Sequence, residues 1–466
     1  MINYFNFKKF RDKYLITNDT GRYMFVGKNT LKKLVKDDIT IENSDYNELK
    51  KNFFVSDEHP EVFIDRVIGS IQNNKNYMFS GTCLHIFVVT NMCNTNCIYC
   101  QARDCQESQN GMMSLETARK AVDVALQSPE KNLSFEFQGG EPLLNFPAIK
   151  EIVEYSNNNK GDKKIEYNLV TNLTLLTDDL LEFFIENKVN IATSLDGNEI
   201  LHNKNRPMKN GDNAFKFVSS KIMEVKGKYD ISAIETTTKY SLNYCKELID
   251  TYVSLDMHSV FIRPLTKLGF ASAHWSDIGY TAEEFVDFYR KCLNYIIDLN
   301  LRGVSITEGH ALIFLSKIIE GYSANYMELR SPCGASIGQM AYYYDGNVYT
   351  CDEGRMLAEM GNKMFKIGNV YQDNYGDMIN SNVCKGTCAA SITECVLGCC
   401  ECVYQPYCGN CPIINLVEND DLYTKKVQNF RCKVYKGMLD VIFEIIYDAD
   451  ERLDVIKNWV QGDKIC

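Results

Sequence analysis

Between residues 83 and 300 the sequence alternates between two periods. Runs rich in β-branched and aromatic residues lie at 83–90 (CLHIFVVT), 132–138 (NLSFEFQ), 164–171 (KIEYNLVT), 190–196 (NIATSLD), 229–237 (YDISAIETT) and 259–265 (SVFIRPL). They read as strands. Stretches with apolar positions three and four apart follow at 115–127, 146–156, 177–187, 214–225, 242–255 and 282–300, and these read as amphipathic helices. Six such repeats predict an α/β fold, a parallel sheet curved into a partial (β/α)6, TIM-like barrel with its chemistry at the carboxyl ends of the strands.

Ahead of it, YLITNDTGRYMFV places two β-prone runs around Asn18-Asp19-Thr20-Gly21, a hairpin signal over Tyr14–Val26. NTLKKLVKDD and NSDYNELKKNFFV follow as short helical patterns. The expected organisation is a small α+β module over 1–80, the barrel over 81–325 and a cysteine-rich region over 326–466. The first module reads either as a packing extension of the barrel or as a peptide-docking unit.

Composition narrows the function. The 50 basic and 61 acidic side chains give a net charge of −11, with no dominant basic cluster, so a nucleic-acid partner is disfavoured. No apolar run reaches membrane-spanning length and the first residues lack the apolar core of a signal peptide. The chain reads as cytoplasmic. Nineteen cysteines in a reducing compartment point to metal or redox chemistry before disulfides. Five fall within 83–105 (Cys83, Cys93, Cys97, Cys100, Cys105) and twelve from Cys333 onward.

Directly after the first strand, Cys93, Cys97 and Cys100 form a C-x3-C-x2-C loop. Three thiolates can hold three irons of a 4Fe–4S cube and leave the fourth without a protein ligand; a structural zinc loop is the alternative. The second strand ends in Gln138-Gly139-Gly140-Glu141-Pro142. Its glycines allow close approach of backbone to a ligand, and its carboxylate could hold an ammonium group. Asn172 ends the third strand, Ser194 and Asp196 the fourth, with His202 and Arg206 following. Glu235 and Arg263 end the fifth and sixth strands and are expected at the mouth, Arg263 either clamping a carboxylate or pairing with a neighbouring acid.

The cysteine loop followed by GGEP resembles the radical S-adenosylmethionine (SAM) superfamily over about residues 81–270. The resemblance implies that Cys93, Cys97 and Cys100 hold a 4Fe–4S cluster whose open iron chelates SAM, and that SAM yields a 5′-deoxyadenosyl radical. It further implies Tyr99 near the adenine, Gly139, Gly140 and Glu141 at the methionyl amine, Ser194 near the ribose, and Asn172, Asp196, His202, Arg206 and Arg263 around the SAM and substrate pocket.

The later cysteines resemble the SPASM extension of peptide maturases: Cys333, then Gly346-x4-Cys351, then Cys399-x2-Cys402-x5-Cys408-x2-Cys411, then Cys432. This implies two auxiliary 4Fe–4S clusters, a distal one on Cys399, Cys402, Cys408 and Cys432. The nearer one would use Cys333, Cys351 and Cys411, with a fourth ligand absent or supplied by Cys384 or Cys388. The last interval is usually three residues and here is two, which puts Cys411 in doubt. Zinc knuckles are the alternative. Cys395, Cys400 and Cys466 stay unassigned, and Cys245 and Cys292 read as buried helical residues.

The opening NYFNF…KYLITNDTGRYMFV, the run Tyr404-Gln-Pro-Tyr-Cys-Gly409 and the late KGMLDVIFEII resemble the His-Xaa-Ser system maturases. That resemblance implies modification, by cross-linking or cyclisation, of a ribosomally made precursor peptide. The implied partners are an electron donor such as a flavodoxin or ferredoxin and a second radical SAM maturase. A sulfatase-type maturase, a small-molecule radical SAM enzyme and a zinc-stabilised binding protein are the rival readings.

Overall fold

A computed structural model describes residues 1–40, 42–102, 111–321, 326–423 and 429–462. Cys105 and Cys466 lie outside them. The chain opens with an antiparallel sheet of β1 (Asn6–Phe10), β2 (Lys13–Thr17) and β3 (Tyr23–Val26), in that order. The expected hairpin pairs Tyr14 with Val26 and Thr17 with Tyr23. Asn18 builds its turn by accepting from the Thr20 amide and hydroxyl at 3.2 and 2.6 Å, and Gly21 takes φ +79°, a conformation glycine adopts without strain.

Six parallel strands follow, as the periodicity predicts: β4 (Leu84–Thr90), β5 (Asn132–Gly139), β6 (Lys164–Thr171), β7 (Val189–Ser194), β8 (Ile231–Thr236) and β9 (Ser259–Arg263). The sheet is longer than expected. β10 (Thr307–Glu308) adds parallel to β9. At the other edge come β11 (Gln339–Tyr343), β12 (Asn347–Tyr349) and β13 (Lys366–Asn369), the first parallel to β4. The sheet therefore crosses the boundary drawn at 325.

Helices cover the outer face, where Phe135, Phe137, Tyr167, Leu169 and Ile191 lie in the main core. Their starts follow local chemistry: Ser114, Thr177, Asn198 and Asn213 cap their helices, and Thr281 with Glu284 forms a reciprocal capping box. Cys292 is buried and Cys245 half-buried, with their thiols hydrogen-bonded to each other. The inner face is different. Ser134, Glu136, Gln138, Asn168, Ala192 and Ser194 alternate with the core residues and stay partly exposed, so the lumen is not the packed interior of a closed barrel.

The first sheet packs on the last third of the chain. Tyr23 and Phe25 meet Phe443 and Tyr447 of helix Phe430–Asp448 at ring separations of 5.3 and 4.9 Å. Lys8 pairs with Asp440 at 2.7 Å, and the Thr17 hydroxyl donates to the Val403 carbonyl at 2.7 Å.

Candidate active site at the strand mouths

The loop leaving β4 is held on three sides. Gly140 and Glu141 donate their amides to the carbonyls of Thr90 and Met92 at 2.9 and 2.8 Å. The Asn96 and Ile98 amides donate to Pro207 and Asn205 at 2.8 and 3.0 Å, and the Phe270 amide to Cys100 at 2.9 Å. A Cβ on Gly139 or Gly140 would overlap the carbonyl oxygens of Thr90 or Met92. These glycines thus permit a close approach of β5 to Thr90 at the end of β4 and to Met92 of the cysteine loop.

Within the loop, the Thr95 hydroxyl stands 3.1 Å from Cys93 Sγ and 3.6 Å from Cys97 Sγ, and the Thr95 amide donates to Cys93 Sγ at 3.5 Å. Arg206 donates from Nη1 to Cys97 Sγ at 4.0 Å. Burial pushes the Cys93 thiol up, and burial followed by Cys97 pushes Cys100 up to about 12. Among the described residues no three His, Cys, Asp or Glu side chains converge on a single-ion site. Cys97 acts electrostatically on both Cys93 and Cys100, and the N–H and O–H donors of Thr95 and Arg206 are aimed at the sulfurs of Cys93 and Cys97. A cube that holds each thiolate at a separate iron fits this arrangement, because such donors stabilise thiolate charge.

Glu141 directs its carboxylate inward. It is 1% exposed and accepts from the Thr171 hydroxyl at 2.6 Å, the Asn172 amide at 2.9 Å and the Leu143 amide at 3.1 Å. The carboxyl expected to hold an ammonium group joins β5 to β6 instead. Asn172 continues the bracing through Asn94, whose Oδ1 accepts from Asn172 Nδ2 at 2.8 Å.

Asp196 is fully buried behind the loop. Its Oδ2 accepts from the Tyr99 hydroxyl at 2.7 Å and from Arg206 Nε at 3.1 Å, and its Oδ1 from the Thr236 amide at 3.2 Å. The Arg206 guanidinium lies over the Tyr99 ring at 5.0 Å. His202 is 1% exposed, accepts from the Asp196 amide at 3.3 Å, and is pushed down to about 4 by burial, so it packs as a neutral ring. Ser194 lies at the lumen rim, half-buried.

Two strand-end residues part company. Glu235 shares the face of Ile231 and Ala233, turns into the helix layer and is fully buried; its placement at the mouth is corrected, because strand side chains alternate faces. Burial raises its carboxyl well above the ordinary range, and Oε2 accepts from the Thr237 hydroxyl at 2.8 Å. Arg263 does face the lumen. Of the two roles expected for it, the structure shows the ion pair, Nη2 lying 3.5 Å from Glu328, which Arg431 also meets at 2.6 Å.

The later cysteines sort into two groups. Cys333, Cys351 and Cys411 share a small buried cluster with Leu268, Phe365 and Ile413. Cys351 and Cys411 occupy the positions just before helices Asp352–Glu359 and Pro412–Asn419, and the Gly354 amide donates to Cys351 Sγ at 3.4 Å. Helix amino termini favour thiolates. Cys411 thus sits with the expected partners despite its short interval. Cys408 is pushed up to about 12 by burial and then by Cys432, Cys399 and Cys402, and Lys436 faces the same four sulfurs. Cys384 and Cys388, one turn apart on helix Asn382–Ser391, are hydrogen-bonded to each other.

Sequence reasoning missed Thr95, Asn94, Glu328, Arg431 and Glu136. Only Glu136 had a legible signal: it alternates with Phe135 and Phe137 and so had to face the lumen, where Gln138 donates to it.

A family model described as the radical SAM superfamily matches residues 87–219. An uncharacterised protein of Methanocaldococcus jannaschii is 36% identical over 177 residues, 38% of this chain and 60% of that one. The cysteine-type anaerobic sulfatase-maturating enzyme of Clostridium novyi is 24% identical over 68% of this chain and 83% of its own. Among solved structures, anSMEcpe with bound AdoMet superposes with a TM-score of 0.69 at 21% identity, covering 81% of this chain and 98% of that one. Streptococcus suis SuiB bound to its precursor peptide SuiA gives 0.54 at 13% identity, covering 91% and 98%. At these identities the likeness is one of fold. The cysteine loop and the ends of β4 to β7 fall inside the stretch that matches the radical SAM family model, residues 87–219 of the 466.

Proposed function

We propose that this enzyme is a maturase that oxidatively modifies a peptide, forming a cross-link or ring in a ribosomally made precursor. The observation that carries the reading is the inner sheet face, where the polar side chains of Ser134, Glu136, Gln138, Asn168 and Ser194 stay partly exposed on β5, β6 and β7, which succeed in the sheet the strand that leads into the cysteine loop. An extended segment can lie along such a face. The relatives support it, since one is a sulfatase-maturating enzyme and one structural neighbour was solved with its precursor peptide.

In this reading Cys93, Cys97 and Cys100 hold the 4Fe–4S cluster, and SAM binds beside the loop near Tyr99, Ser194 and the backbone of Gly139–Glu141. When bound, the reduced cluster and SAM supply a 5′-deoxyadenosyl radical, the source of C–H abstraction. The chain's part is to fix the loop, to orient the target residue against β5–β9, and to keep water from the radical. Cys399, Cys402, Cys408 and Cys432 form the distal auxiliary site, and Cys333, Cys351 and Cys411 the proximal one. Both serve as relays from a flavodoxin- or ferredoxin-like donor. The edge of β3, which pairs only with β2 among the described strands, suits addition of a leader peptide.

The test is anaerobic reconstitution followed by iron, sulfide and zinc counts, then incubation with SAM, reductant and short peptides encoded beside the gene. Iron for three cubes, deoxyadenosine release and a peptide lighter by two hydrogens support the proposal. Zinc in place of iron in the C-terminal sites removes the relay, and modification of a folded sulfatase with no reaction on short peptides replaces the substrate class.

A further inference from the structure

We propose that Arg206 is a positioning residue that sets the reduction potential of the cluster at the cysteine loop, through its hydrogen bond to Cys97. The inference rests on the reading that Cys97 is a cluster ligand. Arg206 lies 109 residues from Cys97 and reaches it with Nη1 at 4.0 Å, while Nε meets Asp196 at 3.1 Å. The two ends of the guanidinium fork thus serve different partners. Its side chain is only 13% exposed and that of Asp196 is fully buried, so solvent does little to screen them.

The geometry around Asp196 keeps the cation aimed at sulfur. The aspartate already accepts from the Tyr99 hydroxyl at 2.7 Å and the Thr236 amide at 3.2 Å. These neutral donors fix the carboxylate and leave Nη1 to Cys97. Tyr99, two residues past Cys97 on the same loop, places its ring under the guanidinium at 5.0 Å, so the flat cation cannot rotate away without losing that contact. The ion pair acts as a dipole with its positive end on the thiolate. Adding an electron to an anionic cluster is easier beside fixed positive charge, and hydrogen bonds to the sulfurs are an established lever on cluster potential. The charge is permanent, because a guanidinium keeps its proton even where it is buried.

The experiment compares wild type, Arg206→Gln and Arg206→Lys as full-length chains reconstituted anaerobically, by redox titration of the EPR signal that changes on adding SAM. Iron content is counted alongside. Arg206→Gln should keep its iron and be about tenfold harder to reduce, equivalent to about 59 mV for a one-electron couple. Arg206→Lys should lie close to wild type. Should the glutamine variant lose iron from the loop, the lysine variant decides: full iron with an unshifted potential supports the proposal, and loss from both overturns it. A glutamine variant that titrates like wild type, or a lysine variant shifted as far as glutamine, also overturns it. A wild-type protein without any SAM-responsive signal overturns the ligand assignment of the loop, and the inference with it.

Discussion

The Asn172 amide donates to the buried Glu141 carboxylate at 2.9 Å, joining the end of β6 to the end of β5 directly beneath the cysteine loop. Two further donors, the Thr171 hydroxyl and the Leu143 amide, meet the same carboxylate. Glu141→Gln keeps the shape but replaces one of the two acceptor oxygens by a donor. It should lower stability by about 1–3 kcal/mol. Urea denaturation checks this, and an unchanged midpoint would show that these contacts contribute nothing.

Gly140→Ala tests the contact between β5 and the loop. A methyl group there overlaps the Met92 carbonyl, so the loop must shift. The variant should bind less iron at Cys93, Cys97 and Cys100 than its parent, as counted in a background whose C-terminal cysteines are replaced.

Replacing Cys93, Cys97 and Cys100 together by alanine should abolish deoxyadenosine formation and leave the C-terminal iron in place. Chromatography of SAM products with iron analysis reads both quantities. Persistent SAM cleavage would end the ligand assignment.

Stability should fall with acid. Burial pushes His310 down to about 4, against about 6.5 in an unfolded chain. Between those values the unfolded state takes up a proton that the folded state refuses, so stability is fully present above about pH 6.5 and declines as pH drops towards 4. His310→Gln should flatten that decline by about 1.4 kcal/mol per pH unit. Parallel curves for wild type and variant in denaturant titrations between pH 7 and 5 would refute it.

Deletion of residues 1–78 should yield an insoluble chain, because it strips Tyr23 and Phe25 from Phe443 and Tyr447. Sedimentation after expression decides. A soluble truncation that still cleaves SAM and binds peptide weakly would instead make the first module a detachable docking unit.

The fold was legible where one face of an element is wet. Alternation marks β5 to β9, and three–four spacing marks their helices. β11 was not legible: all five residues, Gln339–Tyr343, are buried, and a strand covered on both faces loses its alternation. At the site, the spacing of Cys93, Cys97 and Cys100 is local and could be read directly. Arg206 against Cys97, or Glu328 between Arg263 and Arg431, depends on distant segments meeting, which no local pattern encodes. Glu235 was misplaced because being at a strand end says nothing about which face is presented; Ile231 and Ala233, in step with it, held that information.

The pairing of β11 with β4 has a consequence for how the molecule is made. Thr82, just before β4, donates to the carbonyl of Ser336 at 2.8 Å across 254 residues of sequence. A ribosome must therefore release most of the chain before the strand that carries the cysteine loop gains its second neighbour. Until then β4 has an open edge, and such edges invite aggregation during slow, non-local folding. Iron insertion at the loop is accordingly expected to follow synthesis, on a chain whose carboxy-terminal third has already docked.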